Sequence, residues 1–255
     1  MPESPRRRRR AWILIPVVLV LLVGGAIGAE LLVRSIVAST ASQQIASALP
    51  EGVTADIAAT PTGACVTCEV IGGELSGLEV AGHDVTFGGL RGEIAASATK
   101  VGLGDTATIG GLEGTITVGE AELKSLLDSV AADQGIDTSG LELADGGVRY
   151  RTALELFGQS IDVQVLAQMQ ERPGGRVLIS AKELAVVGPD GRTTAIDLDP
   201  EALTFSFCVG ERLPAVLELT DIAVSDTQLE VSLRSTEPFV ADAATFEQLG
   251  SCPPA

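Results

Sequence analysis

Cys65-Val66-Thr67-Cys68 is the motif in this 255-residue chain whose residue types and spacing could carry covalent chemistry. Two thiols three positions apart form a redox couple when the first opens a helix after a strand, where backbone N–H groups favour a thiolate. Here Gly63 precedes the pair, and Val66, Val70 and Ile71 accompany it, a pattern that reads as a loop entering a strand. The pair is therefore expected to be a structural disulfide. Cys208 and Cys252 complete the set of four cysteines. Of the three possible connectivities, Cys65–Cys68 and Cys208–Cys252 are expected. The first two are close in sequence, and the second pair would close a 45-residue loop and pin the C-terminal tail. A zinc site built from all four would need every thiol reduced. His83 is the single histidine, so any Ser/His/Asp or Cys/His site would have to use it. Its setting, Gly82-His83-Asp84-Val85, reads as a surface position at a strand edge. Asp197 and Asp199 have the spacing of calcium ligands but no third ligand in step, and Gly188-Pro189-Asp190-Gly191 reads as a plain turn. Carboxylates are too numerous for any pair to mark a glycosidase dyad. No catalytic residue, metal or cofactor is expected.

The elements that position these residues begin with the first 30. Arg6 to Arg10 form an unbroken basic run, and the 19 residues 11–29 carry no charge. A helix of that length, at about 1.5 Å per residue, nearly spans a bilayer core. Arginine ahead of an apolar span stays cytoplasmic. The expected organisation is a cytoplasmic tail at 1–10, a transmembrane anchor at 11–29 and an extracytoplasmic domain at 30–255. The protein would then be a single-pass protein of the cell membrane. A cleaved signal peptide is the alternative; Ala26-Ile27-Gly28 is a tolerable cleavage site, but 19 apolar residues exceed the roughly 7–15 of a signal core. Both readings export residues 30–255, which agrees with disulfides.

Beyond the tail the chain carries 12 basic and 33 acidic residues, a net charge of −21. Such a surface repels nucleic acid and anionic headgroups. One Trp, one Tyr and six Phe give little material for aromatic binding platforms. An apolar fraction of 45% supports a folded core in spite of the charge.

Val33, Val37, Ala41, Ile45 and Leu49 recur every four residues, with Leu32 and Ile36 beside them, and Pro50 and Gly52 end the stripe. One long helix should thus leave the membrane and pack into the domain. Gly88-Gly89-Leu90-Arg91-Gly92-Glu93-Ile94 recurs as Gly110-Gly111-Leu112-Glu113-Gly114-Thr115-Ile116, with a looser copy at Gly72-Gly73-Glu74-Leu75-Ser76-Gly77-Leu78. Each reads as a turn followed by a strand. Glu120 and Glu122 favour the start of a second helix, whose apolar face is Leu123, Leu126, Leu127 and Val130, with Gly135 as its stop. The remainder alternates with period two: 148–156, 161–169, a turn at Pro173-Gly174-Gly175, a return from Val177, then Phe205 and Phe207, and finally Leu229, Val231 and Leu233. These read as one-sided antiparallel strands.

The order basic start, apolar anchor and amphipathic helix leads into "GGELSGLEVAGHDVTFGGLRGEI", "GTITVGEAELKSLLDS" and "LPAVLELTDIAVSDTQLEVSL". It resembles the LmeA-like family of actinobacterial cell-envelope proteins, which bind phospholipid, over roughly residues 30–235. The resemblance implies an α+β fold similar to tubular lipid-binding domains: a long curved antiparallel sheet wrapped on two amphipathic helices around an apolar groove, here behind one transmembrane helix. It also implies a non-catalytic protein whose partners are phospholipid or another acyl-chain lipid and the membrane, supporting envelope lipid or glycolipid assembly or transport. The four cysteines and the acidity depart from the family pattern. The inward faces that would line the groove are Ile45 and Leu49, Leu123, Leu126, Leu127 and Val130, with Phe87, Phe205 and Phe207 from strands. The rival reading is a structural or protein-interaction ectodomain with a solid core and no lipid.

Overall fold

The computed structural model describes residues 6–49, 52–87, 90–104, 107–125, 140–144, 146–156, 159–188, 192–196 and 204–252. Helix α1 runs unbroken over Arg6–Ala48. At 43 residues it is about 65 Å long. Its side chains are described from Gly24 onward. Among the described residues no helix is long and apolar enough to cross a membrane, and most of the 11–29 run lies outside those side chains. The face expected to turn inward does so: Val33, Val37, Ala41 and Ile45 are half-buried, whereas Leu32 and Ile36 are exposed.

Thirteen described strands form two antiparallel sheets. In the first, β1 (Thr54–Pro61), β2 (Glu74–Phe87), β3 (Leu90–Gly102), β4 (Thr108–Gly119), β12 (Gln228–Ser235) and β11 (Leu217–Val224) follow in that order, with β13 (Phe239–Val240) also on β4. In the second the order is β10 (Thr204–Cys208), β8 (Arg176–Val187), β7 (Gln159–Arg172), β6 (Gly147–Leu156) and β5 (Leu141–Ala144), with β9 (Thr193–Ile196) on β8. The expected single long sheet is therefore divided. The late hairpin β11–β12 returns to pair with β4, taking the edge that β5 and β6 would have needed to continue the first sheet. Short helices are α2 (Val66–Gly72), α3 at 120–125 and α4 (Ala243–Glu247).

Register explains the one-sidedness. Directly paired residues of antiparallel strands share a face. Ile57, Gly82, Ile94, Ile116, Val231 and Ile222 form one continuous cross-strand row. Thr60, Glu79, Ser97, Glu113, Arg234 and Glu218 form a row on the opposite, wet face. Helix α1 covers part of the apolar face, with Ala41 and Ile45 packed against a cluster of Ala59, Leu78 and Ala98. Asp84 and Lys100 each have a φ of 51°, and the β2–β3 register shifts between Gly82 and Val85, a bulge around Asp84. Such bulges increase local twist and bend.

Two of the glycine pairs precede strands as expected: Gly73 is the left-handed C-cap of α2 ahead of β2, and β3 starts after 88–89, which lie outside the described residues. The third pair does not. Gly110 and Gly111 sit inside β4, across from Lys100 and Thr99, where a Cβ on Gly110 would stand 2.8 Å from Lys100 Cβ. Close approach of two strands, not a turn, requires glycine there.

Candidate lipid-binding site

One end of the first sheet is defined by its connections. β1 runs back along α1: Ala59 N–H donates to Ser42 Oγ at 2.9 Å, and further along Arg34 donates to the carbonyl oxygens of Pro61, at 3.2 Å, and Gly63. Residues 62–73 therefore lie beside the part of α1 that leaves the sheet. The β3–β4 loop is at the same end, since Leu103 N–H donates to Gly73 O at 2.8 Å. So is the β12–β13 link, since Phe239 pairs with Ile109 near the start of β4.

Glu30 and Arg34 fasten α1 to this end. Glu30 Oε1 accepts from Val66 N–H at 2.7 Å and Oε2 from Thr67 N–H at 3.0 Å. Arg34 Nε lies 3.1 Å from Glu30 Oε1. The Thr67 N–H first, then the Val66 N–H, and finally the Arg34 guanidinium hold the Glu30 carboxyl down at a pKa of about 2.

The motif Cys65-Val66-Thr67-Cys68 is not a loop entering a strand. It opens α2 directly after β1, with Cys65 as N-cap and its sulfur accepting from Cys68 N–H at 3.3 Å. The β-branched Val66, Val70 and Ile71 suggested a strand, but the caps at both ends override that weak preference. Cys65 and Cys68 are disulfide-bonded, with Cα atoms 5.3 Å apart. The helical setting restores the arrangement associated with redox pairs; Glu30 takes the Val66 and Thr67 N–H groups, and Cys68 N–H is the one that reaches the Cys65 sulfur.

The second disulfide joins Cys208 of β10 to Cys252, with Cα atoms 6.0 Å apart. It ties the C-terminal tail to the second sheet, while β13 ties the same tail to the first. Between them lies a cleft of about 780 Å³, within the roughly 300–1,000 Å³ of ordinary ligand sites. Leu213, Leu217, Leu219 and Leu249 give it an apolar wall. Glu171, Thr236 and Gln248 add polar groups, and Arg234 Nε meets Glu218 Oε1 at 2.5 Å on the exposed side. A shallower trough of about 470 Å³ lies over β1–β4, lined by small and acidic residues such as Ala81, Ala95 and Glu113.

The apolar faces of both sheets are incompletely covered. Ile94, Ile116 and Val231 of the first sheet, and Val165, Met169 and Ile179 of the second, are only half-buried. Among the described residues the large side chains that are fully buried are Leu75, Val66 and Val177.

The residues expected to line a groove are dispersed. Ile45 belongs to the α1–sheet contact, Leu49 is half-buried just past α1, and Leu123 is half-buried on α3. Phe207 pairs with Val177 and is 42% exposed. Phe205 pairs with Ile179 and Phe87 ends β2, but both side chains lie outside the described residues, as do Leu126, Leu127 and Val130 entirely. None of those described lines the 780 Å³ cleft. The cleft leucines carried a signal of their own: Leu217 and Leu219 alternate in the "LPAVLELT" segment. His83 is exposed on β2, opposite Asp56. Among the described residues no His, Cys, Asp and Glu group has the geometry to hold a metal.

Two amphipathic antiparallel sheets with partly open apolar faces, a helix across one of them and an amphipathic cleft make an α+β fold consistent with lipid binding. Residues 28–234 match the profile of the LmeA-like phospholipid-binding family. That is most of the chain, and the chain belongs to this family. No curated protein and no solved structure matches it.

Proposed function

We propose that the protein is a non-catalytic, membrane-anchored phospholipid carrier or scaffold of the cell envelope. Residues 1–10 stay in the cytoplasm, 11–29 cross the membrane and 30–255 work outside it, supporting lipid or glycolipid assembly or transport. The observation that carries this reading is the half-buried state of the apolar sheet faces in a chain of a phospholipid-binding family. A solid-core ectodomain would seal such faces against each other. Acyl chains laid on them gain about 0.8 kcal/mol per CH₂ removed from water. The apolar side of α1, with Leu123 on α3, would close over the chains.

The test is photo-crosslinking of the full chain in nanodiscs that contain a phospholipid with a photoactivatable acyl chain. Crosslinked peptides from β3–β4 or β7–β8 are expected beside those from α1. Crosslinks confined to 11–29 would favour the solid-core ectodomain.

A further inference from the structure

Exposed apolar side chains are ordinary when scattered. Here they are not scattered. Of eleven large apolar side chains exposed among the described residues, nine lie at the end of the first sheet from which α1 emerges. Leu31 and Leu32 are 63% and 67% exposed on α1, next to the Glu30 clamp. Ile71, at 84%, tips α2, whose first N–H groups that clamp holds. Leu103 projects from the β3–β4 loop bonded to Gly73. Phe246 and Leu249 stand on the C-terminal tail, which Phe239 tethers to β4 by its edge-on ring contact with Phe246 at 5.8 Å. The 780 Å³ cleft lies at this same end, walled by Leu249 and by Leu217, which pairs with Ser235 as β12 finishes.

We infer that this end is a bilayer-docking face: Ile71, Leu103, Phe246 and Leu249 insert among the lipids that surround the anchor, so that the cleft opens directly onto the leaflet. The inference rests on the anchored reading given above. Its occupant follows from continuity. α1 is unbroken, and its uncharged run ends at Ala29, one residue before the carboxylate that holds α2. The leaflet surface therefore begins within about one helical turn of this end. Charge excludes the other mode of attachment. A domain of net charge −21 gains nothing from anionic headgroups, so contact must be apolar. A lipid leaving the leaflet would then pass into the cleft without crossing water.

The single tryptophan supplies an internal control, because Trp12 lies within the anchor run. The full chain is placed in phosphatidylcholine nanodiscs with and without bromine on the acyl chains, which quenches nearby indole emission. The native chain reports on the anchor. Ile71→Trp and Leu103→Trp, each with Trp12→Phe, report on the docking face. Ile196→Trp with Trp12→Phe reports on an exposed apolar position elsewhere, on β9 opposite Leu184. The expected result is loss of emission from Trp12 and from both docking-face variants, and none from the Ile196 variant. Loss at Trp12 with the docking-face variants no more quenched than the Ile196 variant would overturn the docking face and leave the anchor standing. Equal loss at all positions would overturn it as well. No loss at Trp12 would overturn the anchored reading and the docking face with it.

Discussion

Replacing both Cys208 and Cys252 by serine tests how the tail and the two sheets are held together. The bond closes a 45-residue loop, for which the loss of chain entropy in the unfolded state corresponds to about 4 kcal/mol. The same relation gives about 2 kcal/mol for the four-residue loop of Cys65–Cys68. Other contacts on the tail are modest. Ala215 N–H donates to Gln248 O at 2.7 Å and Gly250 N–H to Leu213 O at 2.9 Å, each contributing about 0.5–1.5 kcal/mol. Leu249 adds an isolated bridge to Pro214. The Cys208→Ser, Cys252→Ser protein should lose about 4 kcal/mol in urea unfolding, and its thermal midpoint should fall by about 8–16 °C for a domain of this size. Amide exchange at Ala215 and Gly250 should accelerate, because the tail then opens without global unfolding. A loss below about 1 kcal/mol with unchanged exchange would refute the reasoning, since non-covalent contacts would suffice. A loss equal to that of the Cys65→Ser, Cys68→Ser protein would refute the dependence on loop length.

Gly175→Ala should destabilise by about 1–3 kcal/mol in the same assay, because Gly175 has a φ of 73° and a Cβ there would stand 3.0 Å from Gly210 Cα. Glu30→Gln should lower stability at neutral pH and hardly matter at about pH 2. The folded-state pKa of Glu30, about 2, is below its ordinary 4.5, so its contribution is present above pH 4.5 and is lost as pH falls toward 2. Urea midpoints of the two proteins at neutral and acid pH would converge; a constant gap across that range would refute the clamp.

Much of the fold was legible where one face of an element is wet. Val33, Val37, Ala41 and Ile45 announce the packed side of α1 because the opposite side meets solvent. The strands around Val148, Val163, Val177 and Val231 are equally plain, since alternation is dictated by a half-exposed sheet. What failed is what depends on distant partners. The first two N–H groups of the helix after Cys65 are bonded by Glu30, 35 positions before Cys65, and no local pattern reveals that partner. Gly110 looks like a turn residue until Lys100 is placed against it. The division into two sheets is decided by β12 returning to β4 across more than a hundred residues, and hydrophobic period carries no information about which edge a strand will choose.

The site was legible as chemistry more than as place. The apolar faces alone left lipid capture and a filled core both open; the family resemblance pointed to phospholipid, and the family match agrees. The cleft itself depends on segments that meet only in the folded chain: the β7–β8 turn, the start of β11 and a tail held by Cys252. The family match ends at Arg234, whereas Leu249 and Cys252 lie beyond it. The Leu249 part of the cleft wall thus lies beyond the matched residues, secured by the Cys208–Cys252 bond. The Glu30–Arg34 clamp has the complementary effect at the other side of the same end. It fixes α1 relative to α2 through backbone atoms of Pro61, Gly63, Val66 and Thr67. A helix clamped to α2 and a stapled tail at the cleft are two independent constraints on one end of the first sheet. Loosening either should alter lipid access while leaving the two sheets intact, because α1 adds no strand to them and the tail adds only the two-residue β13 on β4.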